Sequence, residues 1–275
     1  RASSFNTILR YFRKRSNVLF FCNLPPFVKN TKSVVYFHNV LRLERPSLTN
    51  FKFNRLYYFW IKWNLTNVQS VFCQTYSVKI KLEKFHSDVQ LVPFFKIPKI
   101  EKLEFRKFDF CYVAYNYPHK NYVNLLNAAV LLARNFDFSI AVTIENNESN
   151  ISILTIIEKI NKIKGKDVII NFGRVSESEV YKVYQNSRSL IFPSLKESFG
   201  LPIIEAFYYD CKILSSNLQF SYDLLENPIV FDPNSPISIF SCMENFLLGS
   251  YNSVIQKIKV NDQVDDLIFG LTSVS

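Results

Sequence analysis

From residue 108 to residue 216 the chain switches repeatedly between two hydrophobic periods, and this restricts its fold more than any other feature. Apolar runs of strand length stand at 110–114, at 138–144 (FSIAVTI), at 168–172 (VIINF), at 190–194 (LIFPS) and at 212–216 (KILSS). Between them apolar residues recur at helical spacing. Val123, Leu126, Val130 and Ala133 share one face, and Ile153, Ile156, Ile157, Ile160 and Ile163 share another in a helix that stops at Gly165. Ser176 and Glu179 have capping-box spacing ahead of Val180, Val183 and Tyr184, and LPIIEAFYY reads as a helix with Pro202 in its first turn. Strand and helix in alternation call for a parallel sheet covered on both faces, and such sheets bind ligands at the carboxyl ends of their strands.

The first half repeats the pattern in shorter form, with strands expected at 18–21, 34–37, 70–73 and 89–92. The reading is therefore α/β with two domains, 1–100 and 101–275, joined through the proline-bearing stretch 93–108. Charge divides at the same place. Residues 1–107 carry a formal +15 and residues 108–275 carry −5, the two making up the net +10. Basic surface draws anionic ligands or lipid, so the two halves are expected to meet different partners.

No stretch approaches the roughly 18–20 uninterrupted apolar residues that span a bilayer. Five scattered cysteines, odd in number and mostly beside apolar runs, suit free thiols in a reducing compartment, and the cytoplasm is the expected location. With no closely spaced cysteine pair and three histidines, no metal is expected. The chain opens at Arg1 on a helix-like stretch, which fits a processed or truncated beginning.

In the second half the unusual polar positions all follow strands: Asn116 to Lys120 after the first, Gly173 and Arg174 after the third, Ser194 to Gly200 after the fourth. That places them on one edge, the ligand crevice of a doubly wound domain. Glu205, in the first turn or so of its helix, suits a vicinal diol such as a ribose. Glu197 in the loop suits the hydroxyls of a second sugar. The amides of Phe199, Gly200 and Leu201 open a helix and suit phosphate or hydroxyl oxygens. Lys120 would neutralise a diphosphate. The set describes a nucleotide-sugar. Each residue also has a plainer reading: Glu197 as a solvated loop acid, Glu205 as a complement to its helix dipole, Lys120 as a surface charge, Gly200 and Pro202 as ordinary turn and helix-start residues.

YQNSRSLIFPSLKESFGLPIIEA at 184–206, with Glu197 and Glu205 eight positions apart, resembles the signature of the retaining GT-B glycosyltransferases of family 4. The resemblance extends through NYPHKNYVNLLNAA at 116–129, INFGRVSESEV at 170–180 and VFDP at 230–233, and more weakly to HN at 38–39 and QT at 74–75. It implies two Rossmann-like domains with parallel sheets facing across a cleft, a UDP- or GDP-linked sugar donor, retention of anomeric configuration and no essential metal or other cofactor. Carried onto this chain, Glu205 would hold the ribose, Glu197 the donor sugar and Lys120 the departing diphosphate. His38 would approach the sugar from the first domain, and backbone at Gly173, Arg174 and Val175 would face the base. His38 reads equally as a histidine at the edge of the core.

Two features depart from the family. Ala114 and Tyr115 stand where its members usually have Gly-Arg, and His119 or Arg174 is the candidate replacement for that cation. All five glycines lie at or beyond Gly165, so the glycine-rich loop expected after the very first strand is absent. The expectation is a fragment of a longer enzyme, or a reduced protein with an incomplete N-terminal domain.

FKFNRLYYFWIKW at 51–63 and YFRKR at 11–15 mix basic and aromatic residues. They suit either a first domain resting on anionic lipid at the inner face of the cell membrane, near a lipid-linked saccharide acceptor, or a core helix with a solvated basic face. The preferred reading is transfer of a hexose or N-acetylhexosamine in bacterial O-antigen or capsule assembly, with no nucleic acid as partner. Two alternatives stay open: a catalytically degenerate nucleotide-sugar-binding protein, and a basic protein that binds nucleic acid through its first half.

Overall fold

Strands and helices alternate through most of the residues that the computed structural model describes, which are 18–21, 23–27, 29, 33–38, 53–96 and 105–272. In the first part, β1 (Val18–Phe20), β2 (Ser33–Phe37), β3 (Ser70–Cys73) and β4 (Val89–Leu91) form a parallel sheet in that order. Helix α1 (Phe53–Asn64) leads to β3, and α2 (Tyr76–Leu82) is capped by the Thr75 hydroxyl, which accepts from the Val78 amide. Alternation along β2 sends Val35 and Phe37 into a core with Ile61, Leu65 and Leu82, and Val34 and Tyr36 into a second core on the other face. A strand sealed on both sides must be apolar at every position, and SVVYF nearly is.

The second part begins with β5 (Phe108–Tyr112), α3 (Tyr122–Asn135), β6 (Ile140–Val142), α4 (Ile151–Lys164) and β7 (Ile169–Asn171). It continues through α5 (Glu177–Gln185), β8 (Ser187–Phe192), α6 (Leu201–Tyr208), β9 (Lys212–Ser216), α7 (Gln219–Leu224), β10 (Leu225–Glu226), β11 (Ile229–Phe231), α8 (Pro236–Leu247) and β12 (Lys257–Ile258). A short antiparallel pair joins β10 to β12. The main sheet is six-stranded and parallel, in the order β11-β9-β8-β5-β6-β7. The first and fourth strands of this sheet lie side by side in its middle. The chain therefore winds outward in one direction from β5 and in the other from β8, and the helices leaving these two strands part to open a crevice at their carboxyl ends.

Local signals set the ends of these helices. Gly165 takes φ 65, and its N–H closes α4 on the Asn161 and Lys162 carbonyls. The Ser176 amide and hydroxyl both donate to Glu179 at 2.7 Å, completing the capping box of α5.

The buried face of α3 differs from the expected one. Tyr122, Leu125, Leu126, Ala129, Leu132 and Ala133 are buried, while Val123 is exposed. The helix packs against α4 and α8 as well as lying beside the sheet, so its apolar arc is wider than one stripe and rotated from it.

The chain divides into compact units of Arg1–Lys96 with Val260–Ser275, and Ile97–Lys259. The expected second domain, 101–275, thus loses its end to the first unit. Asp262 accepts from the Phe95 amide at 2.9 Å, the Gln263 amide donates to the Pro93 carbonyl, and Leu267 on the final helix α9 (Val264–Thr272) packs with Val34, Tyr36 and Phe72. An edge of apolar sheet core left open by one part of the chain is covered by another, whatever their separation in sequence. Half of the expected linker (97–104), the basic stretch at 11–15 and Cys22 lie outside the described residues; Cys73, Cys111, Cys211 and Cys242 are buried and carry no disulfide. Among the described residues no helix is long and apolar enough to cross a membrane.

Candidate functional site

A cavity of about 250 Å³ opens at the carboxyl ends of β5, β6 and β7. It is lined by Val113, Ala114 and Tyr115 after β5, Thr143 after β6, and Gly173, Arg174 and Val175 after β7, with Lys120, Val180 and Pro202 completing the wall. Thr143 accepts from the Ala114 amide at 3.2 Å and so joins two of these strand ends.

Lys120 ends a tight turn over Pro118–Lys120, and its ammonium meets Glu197 Oε1 at 2.5 Å although the residues are 77 apart in sequence. Both side chains are largely shielded, at 15% and 11% exposure. Shielding lowers the effective dielectric, so this pair interacts more strongly than a surface pair. Backbone contacts hold the partners: the Leu195 amide donates to the His119 carbonyl at 2.8 Å, and the buried Tyr112 hydroxyl donates to the Lys120 carbonyl at 2.7 Å. Next to Lys120, Asn121 adopts φ 60, and its buried amide donates to the carbonyls of Pro193 (3.0 Å) and Pro233 (2.7 Å). One side chain thus pins the ends of β8 and β11 to the start of α3.

Glu205 stands one turn inside α6, slightly deeper than expected, and accepts from the Tyr184 hydroxyl at 3.2 Å. Burial pushes its carboxyl up from the ordinary 4.5 to about 7; the Tyr184 bond opposes this shift, and the negative charge of Glu177 adds to it. The folded chain therefore holds this proton more tightly than the unfolded chain. The stability that results is fully present below the unfolded value and is lost as pH rises through about 7. Urea unfolding at about pH 5 and pH 8 is expected to show about 2–3 kcal/mol of loss from this group, missing in Glu205→Gln. Equal pH slopes in the two proteins would remove the assignment.

The sequence profile of the family described as glycosyl transferases group 1 matches residues 94–249. This chain belongs to that family. The O-antigen chain mannosyltransferase RfbU of Salmonella typhimurium is 22% identical to this group 1 chain over 194 residues, covering 68% of this chain and 53% of RfbU, so the chain spans about half the length of that relative. Among solved structures, S. aureus TarM, in a complex with UDP, aligns with TM-score 0.60 at 18% identity over 81% of this chain and 46% of its own. Anabaena HepE, in complex with UDP and glucose, aligns with TM-score 0.62 at 14% identity over 88% of this chain and 71% of its own. These likenesses show the fold, which is α/β of the GT-B class.

Within this group 1 chain the structure brings Lys120, Glu197, Gly173, Arg174 and Val175 to one edge, as the motif order implied. Phe199 is buried, Leu201 is exposed, and Gly200 starts α6 at φ 91, where a Cβ would come within 3.1 Å of Leu224. Only glycine fits that backbone without strain. Of the candidate replacements for the missing arginine, Arg174 lines the cavity together with Lys120 and His119 does not. His119 stacks on Tyr117 and has its pKa lowered, first by burial and then by the charge of Lys120, which disfavours the charged ring. Arg174 faces solvent and pairs with Glu145 at 3.7 Å.

His38 follows β2 in the first unit. Its amide donates to Asn23 Oδ1 at 2.7 Å, which orients the Asn23 amide so that Nδ2 donates to His38 Nε2 at 2.9 Å. An amide nitrogen can only donate, so Nε2 accepts and the ring proton sits on Nδ1. Sequence reasoning missed Asn23, Asn121 and Tyr184. Asn23 carried no motif signal, while Asn121 and Tyr184 lie inside the stretches that resemble the family but were given no role there, Tyr184 reading as an apolar helix residue.

Proposed function

We propose that this chain binds a nucleotide-sugar in the crevice of its second unit and forms the donor side of a retaining glycosyltransferase, which moves a hexose or N-acetylhexosamine to a lipid-linked or polysaccharide acceptor. The observation that carries the reading is the shielded Lys120–Glu197 pair, which joins the segments after β5 and β8 where the sheet reverses its winding, with Lys120 also lining the cavity. An ammonium has three donors. Glu197 takes one and leaves two for diphosphate oxygens, so Lys120 can hold a leaving group without surrendering its acid partner. Glu197 keeps acceptor capacity for sugar hydroxyls, and Glu205 can take the ribose diol. Charge grows on the diphosphate as the sugar departs, and a fixed cation there favours the transition state over the ground state. A diphosphate oxygen of the bound donor, on the face that the leaving group vacates, would accept the proton of the incoming hydroxyl, and the anomeric configuration would be retained.

Relatives narrow the substrate. RfbU is named for mannosyl transfer in O-antigen, and TarM and HepE are in complexes with UDP, so a mannosyl donor and a UDP donor are the first to try. The exposed Leu56 and Trp63 on α1, beside Lys62, suit peripheral contact with anionic lipid on the cytoplasmic face.

Calorimetric titration with UDP- and GDP-sugars, followed by an assay of slow donor hydrolysis, tests the proposal. Saturable binding with turnover that Glu197→Ala abolishes supports it. Binding without turnover moves the protein to the degenerate reading, and salt-sensitive binding of a single-stranded oligonucleotide in place of any donor overturns it.

A further inference from the structure

Tyr184 is fully buried, yet its hydroxyl reaches Glu205, the residue proposed above to hold the ribose. It lies on the last turn of α5, which packs against β8 and α6, and its carbonyl is held from beneath by the Cys211 thiol at 3.2 Å. Its ring neighbours Tyr209 at 6.3 Å. The side chain therefore has little freedom, and its hydroxyl donates to Glu205 Oε2 at 3.2 Å. A carboxylate beyond the first turn of a short helix is otherwise free to rotate about its long side chain. Here one oxygen is tied down, and Oε1 is left to accept from a ligand.

We propose that Tyr184 is a positioning residue for recognition of the ribose: its hydrogen bond fixes the Glu205 carboxylate in one rotamer, so that the carboxylate accepts from a vicinal diol. This rests on the donor-site reading above. The acidic and phenolic groups facing Glu205 from α5 are Tyr184, Tyr181 and Glu177, and the Tyr181 hydroxyl is engaged with Glu177 at 2.5 Å. That leaves Tyr184 as the group of this set that donates a hydrogen bond to Glu205.

The test compares wild type and Tyr184→Phe, titrated with a ribonucleoside diphosphate and with its 2′,3′-dideoxy counterpart. Loss of a hydrogen bond to a charged group is expected to weaken ribonucleoside diphosphate binding about tenfold or more. Binding of the dideoxy ligand is expected to stay unchanged, and Tyr184→Phe in a Glu205→Gln background is expected to have no further effect. The pH midpoint of ribonucleotide binding in Tyr184→Phe is expected to move upward, because the lost bond had favoured the carboxylate. A purely packing role would weaken both ligands alike and leave the pH midpoint in place, and either result overturns the proposal. Wild type that distinguishes the two ligands while Tyr184→Phe does so equally well overturns this proposal alone. Wild type that binds neither ligand overturns the donor site as well. Should the phenylalanine variant fail to fold, 3-fluorotyrosine at position 184, a stronger donor of nearly the same volume, is expected to tighten ribonucleotide binding and lower the pH midpoint; no change in either counts against it.

Discussion

Lys120→Ala is expected to lower donor turnover by about 10² to 10³, the loss seen when one fixed donor to a developing anion is removed. Arg174 is the other cation lining the cavity, while Ala114 and Tyr115 carry no charge. The same change strands Glu197, at 11% exposure, without its partner. Leaving such a group unpaired is expected to cost about 1–3 kcal/mol of stability, and Lys120→Ala with Glu197→Ala together are expected to be more stable than Lys120→Ala alone. Steady-state kinetics of donor hydrolysis and urea unfolding of the three variants measure both effects. Turnover within a few-fold of wild type in Lys120→Ala would mean that another group carries the leaving charge.

Asn121→Ala is expected to lower stability by about 2–4 kcal/mol, since the buried Pro193 carbonyl loses its donor while the Pro233 carbonyl keeps only the Asn124 amide. Alanine at φ 60 adds about 1–2 kcal/mol of backbone strain within that loss, and Asn121→Gly, which has no such strain, separates the two causes. For a unit of this size a loss of about 3 kcal/mol corresponds to roughly 6–12 °C in Tm. Scanning calorimetry of the two variants is the measurement; a shift near zero in both would show that water replaces the amide. Because Asn121 adjoins Lys120, donor affinity is expected to fall in both variants even at temperatures where they remain folded.

The site was legible where its signals are local and obscure where they are not. Glu197, Gly200 and Pro202 stand in one short stretch, and Ser176 with Glu179 is a motif three residues long; such features can be recognised without knowing what lies across the sheet. Asn121 finds its partners 72 and 112 residues away, and Tyr184 finds its own 21 away. Neither distance leaves a trace in periodicity. The strand β11 also escaped notice, because three residues at a sheet edge are too few to show an alternating period. The exposed face of α3 at Val123 went the same way: a spacing of three and four gives a direction around the helix but not how many neighbours it meets.

What the amino-acid sequence determined by itself was the kind of layer. Apolar runs too unbroken for a half-wet strand, separated by helices with their own stops and caps, allow only a parallel sheet covered on both sides. The tertiary structure decided the order of the strands, which placed β5 beside β8 and so brought Lys120 to Glu197. It also decided that the final helix closes the first unit rather than the second. Hydrophobic period records whether a residue must be buried, and it is blind to which buried neighbour it will meet; that choice is made only when every apolar face of the chain has to be covered at once.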